Sequence, residues 1–319
     1  MSASQQGGPG AHFDVVGLGL NAVDTLLVVP EYPQFNTKIE ITDHAQTGGG
    51  QVATALVACQ RWGLRTKYIG AVGDDEAGRF QRRSLREEGL DISDLLEVPG
   101  AFTQMATIIV ESRSGERTIL WRRDEKLKRD PATLPEEAIA RGRVLLVDGH
   151  EIPLSIRAAG IARARGMPVI LDIDSVREGS RELLALVDYP VVSETFAPRL
   201  TGKAAIVEAL REVQRLSAGG FACATLGSGG ALALSPEGDM RVGAAGVKAV
   251  DTTGAGDVFH GGFAYGLVRG WDLARTLRFA AAAASLNCTG YGARGGIRSL
   301  EEVEREAGAL RVEPLTASR

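Results

Sequence analysis

Between residues 144 and 287 short apolar runs alternate with segments of helical spacing, and this alternation limits the possible folds more than any other feature. Runs at 144–148, 169–172 and 191–192 are each followed by a helical pattern, at 154–165, 181–187 and 204–216. A strand that leads into a helix returns to its sheet in parallel, so the pattern predicts a mostly parallel sheet with helices on both faces. The runs are apolar almost throughout, as strands buried on both sides must be. Two further strands, near 222–226 and 231–234, precede two long helices at 258–268 and 273–287. The N-terminal part adds a strand at 13–18, a helix at 51–62 stopped by Gly63, a strand at 67–71 and a helix at 80–88 stopped by Gly89.

Four extended segments, near 25–29, 38–46, 105–110 and 117–121, break this rhythm. Ile39 and Ile41 alternate with Glu40 and Thr42, as in a half-exposed strand, and Ser114-Gly115 marks a hairpin. Together they predict a small separate sheet beside a large α/β body, placed as a lid over a cleft. The expected division is a body of residues 13–24, 47–102 and 123–319, a β lid of 25–46 and 103–122, and a flexible tail at 1–12.

Composition narrows the function. A 319-residue chain that is 44% hydrophobic can bury a large core. A net charge of −4 argues against a general nucleic-acid partner, which needs a basic surface. Cys59, Cys223 and Cys288 are odd in number and far apart, so they read as free thiols of a reducing compartment. The first eleven residues lack the apolar core of a signal peptide and no apolar run could span a bilayer, so the expectation is a cytoplasmic protein with no membrane partner. The 40 glycines show no collagen period, and with only 12 prolines they belong in turns and where backbone approaches a ligand.

Gly17-Leu18-Gly19-Leu20-Asn21-Ala22 fits G-x-G-x-x-A, but the residues that follow are extended and broken by Pro30, so the helix that a dinucleotide site needs is missing. Walker A, protein-kinase, G-x-S-x-G and H-E-x-x-H patterns are absent. The informative segment is Asp251-Thr252-Thr253-Gly254-Ala255-Gly256-Asp257, which runs into a helix. Small residues at a helix start leave backbone N–H groups free, and with the helix dipole they make an anion hole suited to phosphate. Asp257 in the first turn is expected to stay ionised and to take a proton from a hydroxyl aligned against that phosphate.

With that segment the chain resembles the ribokinase-like sugar kinases of the PfkB family. DTTGAGDVFHGGF is similar to the family's C-terminal signature, and Gly48-Gly49-Gly50-Gln51-Val52-Ala53-Thr54-Ala55 to its N-terminal di-glycine signature. The likeness covers residues 13–305. It implies a three-layer α/β/α body with a small β lid, and an ATP- and Mg²⁺-dependent kinase of a small alcohol. By that resemblance Asp257 is the catalytic base, and Gly254, Ala255 and Gly256 form the anion hole. Asp24, Lys38, Gly49, Gly50, Thr54, Arg122 and His150 would meet the sugar. Ser193, Glu194, Thr225, Gly227, Ser228, Gly230 and Gly256 would meet ATP. Asp251, Thr253, Asn287, Gly290, Gly292 and Gly296 match a monovalent-cation site, for potassium.

Two departures stand out. Thr54 replaces a sugar-binding Asn, and the family's N-x-x-E reads Ser193-Glu194-Thr195-Phe196, so magnesium is expected mainly on the phosphates of ATP. In motif detail the chain is most similar to sulfofructose kinases, with an N-terminal layout that resembles ketohexokinases. Lys38, projecting from a lid strand, together with Arg122, Arg123 and His150, could then read an anionic group on a ketose. The alternatives are a nucleoside kinase, whose purine Phe35, Phe102 or Trp121 would clamp, a non-catalytic sugar-binding relative, and a dinucleotide-binding protein. Exposed lid strands predict a homodimer through the lid.

Overall fold

The computed structural model describes residues 12–315, so all but the last residue of the expected tail at 1–12 lies outside the described residues. The chain opens with β1 (Phe13–Leu18), β2 (Ala22–Val29), β3 (Asp43–Gly49), α1 (Gln51–Arg61), β4 (Thr66–Gly73) and α2 (Glu76–Glu87). It continues through β5 (Leu95–Val98), β6 (Met105–Glu111), β7 (Arg117–Arg122) and the short α3 (Glu136–Ala140). The expected alternation follows in β8 (Gly142–Asp148), α4 (Ile152–Arg163), β9 (Val169–Ile173), α5 (Ser180–Leu184) and β10 (Tyr189–Ser193). Then come α6 (Phe196–Thr201), α7 (Ile206–Leu216), β11 (Ala222–Thr225), β12 (Ala231–Leu234) and β13 (Met240–Val242). The chain closes with α8 (Ala255–Val268), α9 (Leu273–Asn287), α10 (Leu300–Ala309) and β14 (Val312–Pro314).

Ten strands form the large sheet in the order β14-β13-β12-β11-β10-β9-β8-β1-β4-β5, parallel from β11 to β5 and antiparallel at the β14 end. Alternate residues of each parallel strand go to opposite faces. Val15, Val144, Leu146, Ile170 and Val191 pack with α1, α8, α9 and α10. Val16, Leu145, Val147, Leu171 and Val192 pack with α3 to α7. The body is therefore the expected three-layer sandwich. On the first face Trp62 meets Phe279 edge-on at 5.1 Å between ring centres.

The second sheet, in the order β3-β2-β6-β7, is the predicted small sheet, and Ser114-Gly115 does join an antiparallel pair. The second of the four expected segments starts later than the alternation of Ile39 and Ile41 put it. Residues 38–41 carry no strand, and β3 starts at Asp43 and runs into the glycines. The alternating pattern is present, but no neighbouring strand pairs with it. β2 starts at Ala22, so Asp24 belongs to this sheet. Helix α2 begins four residues before the expected start, because the Asp75 side chain accepts a hydrogen bond from the Gly78 N–H at 2.8 Å and caps it. Among the described residues no helix is long and apolar enough to cross a membrane.

Candidate active site

The topology fixes where a ligand can sit. From β1 the chain moves to β4 on one side and later to β8 on the other, so the carboxyl ends of β1 and β8 flank a switch in strand order, where α/β sheets open a crevice. There the Leu20 N–H donates to Asp148 Oδ2 at 2.5 Å. Around this edge stand the ends of β9 and β10 and the first turns of α1 and α8.

The turn before α8 is built for an anion. Gly254 caps the helix at φ 75°, and a Cβ there would come 2.4 Å from the Ala293 carbonyl oxygen, so only glycine fits. The Ala255 N–H is directed to the Thr252 carbonyl at 3.3 Å, which takes it out of the expected hole. The N–H groups of Gly254, Gly256 and Asp257 have no protein partner among the described residues. Helix α8 starts at Ala255, three residues earlier than expected, which puts Asp257 inside its first turn. Contrary to the expectation of a fully ionised carboxylate, Asp257 is pushed up to about 7, first by burial and then by Asp172, Asp24 and Asp174, with His260 opposing.

Among the residues expected to meet the acceptor, Asp24 is buried, and its carboxylate lies against Gly49, where a Cβ would meet Oδ2 at 1.9 Å. Burial raises Asp24 to about 6 although Arg294 pulls it down. Arg294 is itself buried and donates to the Gly49 carbonyl at 3.2 Å and to Ser84 Oγ at 3.2 Å. Burial lowers it to about 10, so it stays charged at neutral pH. Gly50 sits at φ 92° against the Asn21 backbone, which brings the start of α1 onto the β1–β2 connection. Thr54 is fully buried, with its hydroxyl unpaired.

The expected cations are placed differently. Lys38 is exposed on the irregular segment and not on a strand. Arg122 is exposed, its guanidinium 4.8 Å above the Phe102 ring. Arg123 is paired with Glu151. His150 is half-buried, and its backbone N–H donates to Asp148 Oδ1 at 3.0 Å. What sequence reasoning missed is a group of carboxylates. Asp148 and Asp172 are buried at the ends of β8 and β9 and Asp174 follows β9; Asp172, Asp24 and Asp174 all act to raise Asp257. Asp172 is held well above the usual carboxylate range by burial and by Asp148 and Asp174. A carboxylate closing an otherwise apolar parallel strand, as in VLLVD and VILD, was the available signal.

Thr225, Gly227, Ser228, Gly230, Ala255 and Gly256 line one cavity of about 580 Å³, walled also by residues 244–247, Phe259 and the α9 residues Ala281, Ala284 and Ser285. Ser193 and Glu194 do not line it. Glu194 is exposed, and Phe196, where the family pattern has a glutamate, is a core residue. Arg117, at the start of β7, lines the cavity and hydrogen-bonds Thr252, so the small sheet reaches the anion turn. Nothing in the sequence around Arg117 had singled it out. In the loop behind the turn, the Asp251 carboxylate accepts N–H groups from Thr253 and Gly292, both at 2.8 Å. Asn287 donates to the Thr253 and Ala293 carbonyls at 3.1 Å, while Asn287 Oδ1 and Thr253 Oγ1 are buried without partners. Gly290 and Gly296 let this loop close, since a Cβ on Gly296 would meet the Asn287 carbonyl at 2.0 Å.

A helix-start anion hole beside the half-buried carboxylate of Asp257, between a large cavity and a polar crevice, fits a phosphotransferase with an alcohol acceptor. Residues 14–300 match the pfkB family carbohydrate kinase model. Ribokinase of Haemophilus influenzae is 31% identical over 299 residues, covering 89% of this chain and 95% of that protein. A nucleoside kinase of Methanothermobacter thermautotrophicus is 27% identical, covering 85% and 88%. Among solved structures, a putative ribokinase from Agrobacterium tumefaciens superposes with a TM-score of 0.86 at 32% identity, covering 93% of this chain and 97% of that one. The chain belongs to the pfkB family of carbohydrate kinases, and its fold is ribokinase-like.

Proposed function

We propose that the protein transfers the γ-phosphoryl group of ATP to a hydroxyl of an uncharged sugar, in the ketose or pentose size range. The observation that carries this reading is the position of Asp257. It stands in the same helical turn as the free N–H groups of Gly254 and Gly256, and it senses the charge of the acceptor-side Asp24. Asp257 takes the proton of the acceptor hydroxyl, whose oxygen then attacks the γ-phosphorus. The bond to the ADP oxygen breaks, and the N–H groups of the turn hold the charge on the transferring group. Asp24, Gly49 and Gly50 orient the sugar, and ATP occupies the 580 Å³ cavity with its phosphates toward the turn and Arg117. The small sheet, acting as a lid, keeps water from competing as acceptor.

Magnesium, when bound with ATP, neutralises phosphate charge. Such an ion would be carried mainly by the phosphates of ATP and by water, and among the described residues no cluster of three metal-ligating side chains is present to hold it otherwise. The unpaired Asn287 Oδ1 and Thr253 Oγ1 beside Asp251 fit a monovalent cation such as potassium, which would neutralise Asp251 and stiffen the anion turn. Exposed Ile119, Leu120 and Trp121 on β7 support a homodimer through the lid. A sulfonated or otherwise anionic ketose fits less well, because Asp172, Asp24 and Asp174 already surround Asp257 with like charge and Arg123 is paired with Glu151.

The test is ADP release from ATP with fructose, ribose, sulfofructose and adenosine as acceptors. A neutral sugar is expected to give the highest kcat/KM. Preference for sulfofructose would restore Lys38 and Arg122 as anion readers, preference for adenosine would make the chain a nucleoside kinase, and no turnover with any acceptor would leave a sugar-binding relative.

A further inference from the structure

Behind Asp257, on the side away from the phosphate, lies a buried pair that the proposed mechanism does not use. His260 is one turn along α8. Its Nδ1 lies 2.7 Å from the Gly256 carbonyl oxygen and 3.3 Å from Asp172 Oδ2, and its Nε2 lies 2.9 Å from the Val191 carbonyl oxygen on β10. The other oxygen of Asp172, Oδ1, accepts from Gln51 Nε2 at 3.0 Å, and Gln51 is the first residue of α1, next to Gly50. Four separate elements, α1, β9, β10 and α8, are therefore tied through two side chains.

The hydrogen-bond count of the ring is decisive. A neutral imidazole has one N–H, so one of its nitrogens would point a lone pair at a carbonyl oxygen. Only the doubly protonated ring donates to both Val191 and Gly256, and among the described residues Asp172 is the one carboxylate within 4 Å that balances its charge. Burial pulls the ring below the ordinary imidazole range while the two carbonyl oxygens and Asp257 favour the proton; two acceptors at 2.7 and 2.9 Å with a carboxylate oxygen at 3.3 Å make the charged ring the form that fits this geometry. The Gly256 carbonyl shares a peptide plane with the N–H of Asp257, so a ring fixed on that oxygen fixes the peptide that carries the catalytic turn.

We propose that His260 and Asp172 form a buried positioning pair, a histidinium on a carboxylate, that locks the Gly256–Asp257 peptide to the acceptor-binding start of α1. Neither residue touches the reacting atoms; both act through Asp257. The proposal rests on Asp257 being the base, as above. The charged groups facing Asp257 are Asp24 from β2, Asp172 and Asp174 from the end of β9, and His260 from its own helix; Asp172 also faces Asp148 from β8.

The first test needs no activity. In ¹⁵N-histidine-labelled protein with His12, His44 and His150 replaced by glutamine, His260 is the sole histidine, and both of its ring nitrogens are expected to be protonated at pH 7.5. A ring with a single proton at that pH would overturn the pair. The second test is the pH profile of kcat/KM. Asp172→Asn removes a negative neighbour of Asp257 and should move the acidic limb to lower pH, while His260→Gln removes a positive one and should move it to higher pH. In both variants kcat should fall about tenfold or more, with the KM for ATP within about twofold of wild type. Slower turnover with an unmoved limb in both would overturn the proposal. Should the wild type form no ADP with any acceptor, the kinase reading fails, and the nitrogen spectrum alone decides the pair.

Discussion

Asp24→Asn should stabilise the protein at alkaline pH while it weakens sugar binding. In the folded chain burial raises the Asp24 carboxyl from its ordinary 3.8 to about 6, even with Arg294 pulling it down. The native state therefore binds this proton more tightly than the unfolded chain does. The carboxylate then costs nothing below about pH 3.8, and the cost grows as pH rises and is complete above about 6. At about 1.4 kcal/mol per tenfold difference in proton affinity, the full cost is about 3 kcal/mol. Asparagine keeps the shape without the charge. Urea unfolding should show the variant more stable than wild type by about 3 kcal/mol at pH 8 and by about 1 kcal/mol at pH 4.5. In the same preparation the acceptor KM should rise at least tenfold, because the charge that costs stability is the one that accepts sugar hydroxyls. A variant with no larger gain at pH 8 than at pH 4.5 would refute the assignment of Asp24 as a buried carboxylate held ready for a ligand.

Three further outcomes follow from the same geometry. Asp257→Asn should lower kcat at least about 100-fold and leave ATP binding, read by thermal shift, within about threefold of wild type. In the wild type, kcat/KM for the sugar should fall tenfold per pH unit below about 7 as the Asp257 base takes up a proton, and should level off above it; a rate independent of pH from 5.5 to 8.5 would speak against that base. Arg294→Leu strips the Gly49 carbonyl of its 3.2 Å donor and Asp24 of its cation, so the acceptor KM should rise more than kcat falls in steady-state assays.

The charge of the crevice bears on the choice of substrate more than any single cation does. Five carboxylates converge there, and the cations that reach them, Arg294 and His260, are buried and engaged with backbone carbonyls. A further anion entering this field would raise every carboxyl in it, Asp257 first, and so cost the reaction its base. An uncharged polyol does the opposite, because its hydroxyls donate to carboxylates and favour their ionised forms. On the proposed reading, the interactions that bind a neutral sugar would thus also lower the pKa of Asp257 toward working order, so that binding and activation of the base would be one electrostatic event.

Much of this was legible in the sequence because its signals are local. Continuous apolar runs gave the parallel sheet, and Gly254 before a helix gave the anion turn, since a positive φ and a helix start are decided within a few residues. Ile39 and Ile41 misled because alternation states only that a segment could pair, and no strand lies beside residues 38–41. The carboxylate group escaped for the reverse reason. Asp24, Asp148, Asp172 and Asp257 lie on four different elements, and each is bland among its sequence neighbours; the raised pKa values of Asp24, Asp172 and Asp257 arise only when the fold buries them and brings the strand ends together. His260 is the clearest case. In the run Val258-Phe259-His260-Gly261 it reads as a polar residue on a helix, yet its two ring nitrogens find β10 and the first turn of α8, with Asp172 of β9 beside them. Local motifs point to the anion turn, whereas the carboxylates that act on Asp257 can be read only by asking which residue ends each buried parallel strand.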